Sequence, residues 1–350
     1  MAKWSVIIWA TVTPDLEESM ARDLKEAMIA LDALGPGADI HVHSYLHRPG
    51  VRDPQVLPAG GVTDDPFVSA DLSAVLSRTT CWKDKERQRL LVFWGHGTRA
   101  FPPSMLGFTT TAEEKAAAKK SVMSAELAAE ELDGGSSFER PDIIGYDACR
   151  MASVKTVLSF ANVCSDAIFV GSMVPEPASG WPYFELLRIL GEDWKPPAVA
   201  SALVEAYAAS VDANDWCMIA MDLNPIKAGI EVPAPGVDVL PLEAALGNLF
   251  ASTPPDPVDF LTAAQGADIL DDTNFADLGA LMSRLDPAEV RGQPGSEASE
   301  VRRTLRSAIL TRRAGGSLAG RDGVAVLVGL PWDVVWPDRP TWEKYFPDIF

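Results

Sequence analysis

The chain has 350 residues, 47% of them hydrophobic and 23% charged, which is enough apolar material for a sizeable core in one large or two ordinary domains. A formal charge of −19 argues against nucleic acid or an anionic membrane as the main partner and favours attraction of basic peptides. Four scattered cysteines, Cys81, Cys149, Cys164 and Cys217, with no CxxC pair, indicate neither a zinc site nor a disulfide scaffold, so a reducing, cytoplasmic setting is expected.

Taken in chain order, Ser5 to Ala10 predicts a strand, since no small-residue cleavage site follows that would make it part of a signal peptide. Thr13 and Pro14 offer an N-cap and a first-turn proline for a helix. Its apolar stripe is Leu16, Met20, Leu24, Ala27, Leu31 and Leu34, and Gly35-Pro36-Gly37 stops it. A second strand is expected from Ile40 to Leu46. Residues 41, 43 and 47 are histidines on one face by the two-residue period, but no cysteine or carboxylate near in sequence completes a ligand set, so strand packing is expected and no metal. Residues 49–65, rich in Gly, Pro and Asp, read as a loop, Phe67 to Ser77 as a helix, and a strand begins near Arg89. This alternation predicts an α/β fold with a mostly parallel sheet flanked by helices.

Further on, residues 101–121 read as an exposed segment carrying Lys115, Lys119 and Lys120, and Ser124 caps a helix to Leu132. Strands are expected over 142–146, 166–173 and 216–223, with a helix opened by Pro196-Pro197 and running through Tyr207. Residues 1–228 form the expected core. Residues 229–350 form an additional helical region, with Glu297 to Leu310 helical, that returns a final strand at about 323–328 to that core. No apolar stretch approaches the roughly 18 residues of a membrane span.

Two patches carry the chemistry. Phe93-Trp94-Gly95-His96-Gly97 and Asp147-Ala148-Cys149-Arg150-Met151 each follow a continuous apolar run of the kind buried in a parallel sheet, and reactive groups of such sheets sit at strand ends. His96 precedes Cys149 by 149 − 96 = 53 positions, near the roughly 50-residue His-to-Cys interval of caspases, although Met151 replaces the final glycine of that signature. Cys149 is the candidate nucleophile, against the bland reading of a buried thiol. A helix starting just after it would place it at the positive end of a dipole that favours the thiolate. His96, between two glycines, is the candidate general base and acid. Backbone amides of Gly97 and Cys149 are candidates for an oxyanion hole. Asp147, two positions before Cys149, shares its face on an extended segment and can select a guanidinium or ammonium, the alternative being a helix cap.

These blocks, followed in order by Val170-Gly171-Ser172, Gly180-Trp181-Pro182-Tyr183, Ile219-Ala220-Met221-Asp222-Leu223 and Gly323-Val324-Ala325-Val326, resemble the clostripain-like cysteine peptidases. The departures are Lys155 and Met173, where relatives usually carry an acid. The resemblance implies a caspase-haemoglobinase-like fold, a Cys149/His96 dyad acting through an acyl-enzyme, and cleavage after Arg or Lys of a polypeptide substrate. It also implies a second selecting acid, for which Glu176 is the nearest match; a solvated loop carboxylate is its alternative. Trp181 and Tyr183 are candidates for a cleft wall or for core packing. No cofactor is required, though some relatives use calcium, for which Asp271, Asp272 and Asp277 are the candidates without EF-hand spacing. A regulatory partner is conceivable but nothing in the sequence identifies one. The competing readings are a degenerate interaction module and a Cys-dependent amidase or transpeptidase.

Overall fold

A computed structural model describes residues 3–35, 37–47, 55–59, 72–97, 123–134, 137–192, 195–226, 241–251, 263, 275–285 and 297–327. In chain order its elements are β1 (Lys3–Thr11), α1 (Glu17–Leu34), β2 (Asp39–His47), β3 (Gln55–Ala59), α2 (Leu72–Arg78), β4 (Gln88–Trp94), α3 (Ala125–Asp133), β5 (Ile143–Asp147), α4 (Val154–Val163), β6 (Ile168–Ser172), α5 (Tyr183–Gly191), α6 (Pro196–Ser210), β7 (Trp216–Asp222), α7 (Leu242–Ala251), β8 (Phe275–Asp277), α8 (Leu278–Leu285), α9 (Glu297–Ala308), β9 (Ile309–Gly315) and β10 (Ala325–Leu327).

Eight strands form one sheet in the order β3-β2-β1-β4-β5-β6-β7-β9. The central strands β2, β1, β4, β5 and β6 run parallel, and the outer pairings, β2 with β3, β6 with β7 and β7 with β9, are antiparallel. Both faces of the sheet are covered, which is why β4 is apolar at successive positions. Leu91 and Phe93 enter the hydrophobic cluster shared with α2, α3 and α4, while Leu90, Val92 and Trp94 enter the one shared with α1, α5 and α6. Leu246, Leu281 and Leu305 of α7, α8 and α9 belong to the same cluster as Phe93, so the described part of the C-terminal region shares the core of the sheet.

Three expectations need correction. Part of the presumed loop at 49–65 is β3, an edge strand whose Pro58 is tolerated because an edge leaves N–H positions unused. The last strand does not return to the main sheet: β10 pairs antiparallel with β8 in a separate two-stranded sheet. The edge of β7 is already taken by β9, whose first residues read as the end of a helix because the apolar pattern of α9 runs on through Ile309 and Leu310 without a break. Of the helix expected from Phe67, the described part is α2 from Leu72; the rest lies outside the described residues, as do Lys115, Lys119 and Lys120. No described helix is long and apolar enough to cross a membrane.

Candidate active site

Because β4 and β5 are adjacent and parallel, with Trp94 paired to Asp147, the residues after each strand leave the sheet side by side. Gly95 N donates to Asp147 O at 3.2 Å. Two residues further, Gly97 has φ 72°, and a Cβ there would lie 2.1 Å from Cys149 O and 2.5 Å from Cys149 N. Only glycine lets the His96 loop lie this closely on the cysteine's backbone. The turn then passes through Arg150 at φ 61°, a left-handed conformation unusual for a residue with a side chain, and bonds from Arg150 N to Val174 O (3.1 Å) and Ala152 N to Ser172 O (2.8 Å) hold it against the end of β6.

The helix expected directly after the cysteine starts later. Ser153 caps α4, accepting from Thr156 N at 3.2 Å, so Cys149 sits in the preceding turn and not at the helix N-terminus. Its sulfur instead accepts from Glu176 N at 3.3 Å. Burial pushes the thiol above its ordinary value, with the Glu176 amide only partly offsetting this, so the resting group is a protonated thiol.

His96 is held by residues that local sequence did not suggest. Its Nε2 lies 2.9 Å from Thr13 Oγ1 and 2.9 Å from Asp15 Oδ2, both in the segment just after β1, which neighbours β4. The anticipated capping role of Thr13 is absent: it makes no side-chain cap bond and turns its hydroxyl to the imidazole. Asp15 lies below its usual carboxylate range, chiefly through the Thr13 hydroxyl and also through His96.

Beside the thiol three carboxyl groups converge. Asp147 is 4% exposed and accepts from Trp181 N at 3.4 Å. Glu176 brings both carboxyl oxygens into a buried position where no hydrogen-bond donor among the described residues reaches them. Asp23, which sequence reasoning missed, projects from α1, is 2% exposed, and accepts from Trp94 Nε1 at 2.9 Å. A signal for it existed, because Met20, Asp23, Leu24 and Ala27 follow the i, i+3, i+4, i+7 spacing of the buried face. Burial, then repulsion from Asp147, raises Asp23 to about 8. Burial followed by the Asp147 charge drives Glu176 well above its ordinary value, while Asp147 itself is raised by burial and relieved by its contact with Glu176. Of the two, Glu176 is the harder to ionise and Asp147 ionises first.

Gly180, at φ 61°, leaves the space over these acids open: a Cβ there would stand 3.3 Å from both oxygens of Asp147 and 3.4 Å from Asp23 Oδ2. The resulting cleft of about 220 Å³ is lined by Asp23, His96, Asp147, Cys149 and Glu176, among others. Arg22 reaches Asp23 Oδ1 at 3.4 Å from the solvent side and bonds Ala178 O at 2.6 Å. Trp181 and Tyr183 are core residues and not cleft walls, each 1% exposed, with the Trp181 ring seated against Gly145 of β5. Met173 is buried, and Lys155 pairs with Glu126 at 2.6 Å. Of the calcium candidates, Asp271 and Asp272 lie outside the described residues. Asp277 accepts from Ala280 N and Gly323 N, each at 2.7 Å, so it caps α8 and ties it to the segment before β10, which fits a structural carboxylate better than a cation ligand.

The segment from 67 to 228, which holds both strand ends, matches the model of the clostripain family, Peptidase_C11. The match takes in under half of the chain, so the likeness to the clostripain family is that of this segment. Its fold is similar to that of an inactive zymogen C11 protease from Parabacteroides distasonis, at 16% identity and a TM-score of 0.64, covering 93% of this chain and 92% of that one. A secreted C11 cysteine protease from Bacteroides thetaiotaomicron, iotapain, is similar at 12% identity and a TM-score of 0.64, covering 93% of each chain. A secreted C11 cysteine protease of the same organism in complex with an irreversible peptide inhibitor is similar at 16% identity and a TM-score of 0.60, covering 99% of this chain and 96% of that one. No curated protein sequence matches the chain.

Proposed function

We propose that this protein is a clostripain-like cysteine peptidase that cleaves after Arg or Lys, with Cys149 as nucleophile and His96 as proton carrier. The observation that carries the specificity is the trio of buried carboxyl groups beside Cys149, answered by the Trp94 indole, the Trp181 amide and, from the rim, half-exposed Arg22. Burying acids without a matching buried cation costs stability, and a substrate guanidinium or ammonium supplies the missing charge. Its arrival favours ionisation of Asp147 and then of its partners, so binding energy is concentrated on basic side chains.

With the carbonyl placed over Cys149, His96 takes the thiol proton and the sulfur attacks the carbonyl carbon. The oxyanion is received by the Gly97 and Cys149 amides. His96 then passes the proton to the leaving amine as the C–N bond breaks. A water, deprotonated by His96, attacks the thioester, and the proton returns to sulfur as the acid product leaves. Thr13 and Asp15 hold the imidazole in place. No cofactor enters these steps. Four free cysteines suit a reducing, cytoplasmic setting.

The test is a peptide library with the residue before the scissile bond varied, run beside Cys149→Ala. Cleavage after Arg and Lys that vanishes in the variant, with its cooperative unfolding kept, is expected. Preference for acidic or apolar residues would overturn the specificity, and hydrolysis retained by Cys149→Ala would overturn the nucleophile.

A further inference from the structure

At the far end of the parallel strands from this cleft, His41 and His43 of β2 share a face, and the 3₁₀ turn Thr80–Lys83 brings Cys81 alongside them. One ligand atom from each of the three residues lies within 4.8 Å of the others, and Cys81 Sγ is 3.2 Å from His43 Nε2. A sequence gap of 38 residues between His43 and Cys81 hid this set from local spacing. The fold sets a histidine beside the Cys81 thiol.

The turn is well anchored. Ser5 Oγ donates to Cys81 O at 2.8 Å, and Trp82, fully buried, donates from Nε1 to Glu139 O at 2.7 Å. Asp39, two residues before His41 on the same strand face, lies 3.3 Å from His41 Nε2, where it can orient the ring as an outer-shell carboxylate. The nearby guanidinium of Arg87 is held by Asp39 and by Asp84, so its charge is answered. His41 is 45% exposed, leaving freedom for its ring to close on an ion and an open side for water.

We propose that His41, His43 and Cys81 bind one Zn²⁺, with a solvent ligand in the fourth position. Two imidazoles and a thiolate suit this borderline-soft ion, at roughly 2.0–2.3 Å from each donor, so the set needs only a modest contraction. On binding, the Cys81 thiol gives up its proton to solvent and its sulfur lone pair to the metal. Because Ser5, the partner of His41, lies six residues before Thr11, the site is about 20 Å along β1 from the cleft. The ion would pin β2 to the turn before β4 and take no part in peptide hydrolysis.

The experiment uses the full chain carrying Cys149→Ala, which removes the active-site thiol as a competing ligand. Metal-free protein is titrated with Co²⁺ and then Zn²⁺. One equivalent of Co²⁺ should give a thiolate-to-metal charge-transfer band that Zn²⁺ abolishes, and Zn²⁺ should raise the melting temperature. Cys81→Ser should lose the band, and His41→Ala, a change at an exposed side chain, should lose stoichiometric binding. Absence of the band, its persistence in Cys81→Ser, or unchanged binding in His41→Ala would overturn the proposal. If Cys81→Ser fails to fold, His41→Ala decides.

Discussion

At the start of β4, Arg89 is 6% exposed and its guanidinium donates to Trp82 O at 3.0 Å and Asp84 O at 2.8 Å and lies 3.4 Å from Asp142. At the other end of β4 and β5, Asp23, Asp147 and Glu176 are buried together, and what answers them is the Trp94 indole, the Trp181 amide and half-exposed Arg22. Both ends bury charge, but one balances it internally and the other leaves an excess of acid. Balanced burial fixes local structure. Unbalanced burial stores an affinity for whatever brings the missing charge, at the expense of stability.

This contrast can be broken from either side. The largest expected effect concerns Asp23. Its folded value of about 8 lies above the unfolded carboxylate value, so between about pH 4 and pH 8 the native state keeps a proton that the unfolded chain releases. Stability contributed this way is complete below the lower value and is lost as pH rises through the upper one, by at most about 1.4 kcal/mol per pH unit. Asp23→Asn should remove that slope, its advantage over wild type growing from nothing near pH 4 to a plateau above pH 8. Urea unfolding across that range checks it, and parallel pH profiles for the two proteins would refute it.

Next in size, Asp147→Asn should cut kcat/KM for an Arg peptide by about 2–3 kcal/mol, the scale of a charged hydrogen bond lost from the transition state. A peptide with an apolar residue there, though a poor substrate, should lose much less, and initial rates for the two substrates separate specificity from general damage. Removing charge at the balanced end should act on stability instead. Arg89→Met should cost about 2 kcal/mol, because it strands two carbonyls and takes the guanidinium from Asp142. Activity per folded molecule should stay near wild type; a selective fall in Arg cleavage would show that the two ends are not independent.

What sequence made legible was the part of the molecule governed by local period and punctuation. Apolar runs ending in glycine-flanked His96 and in Asp147-Ala148-Cys149 located the strand ends, and two-residue periodicity put Asp147 on the side of the cysteine. The stripe of α1 and the cap at Ser124 followed equally from spacing, since helical neighbours are fixed at three and four residues. Thr13 read only as a cap, and Asp15 and Asp23 were not singled out. They reach the cleft because β1 pairs with β4 and α1 packs against that face of the sheet. The same dependence explains β3, β9 and β10, whose partners were decided by which sheet edges stood free. The thiol also took its environment from the fold: the start of α4 was delayed to Val154, and the amide of Glu176, from a different strand end, met the sulfur in place of a helix dipole. Local sequence thus determined which residues stand at strand ends. Their ionisation and their partners were left to tertiary packing, because burial and repulsion depend on groups brought together from distant parts of the chain.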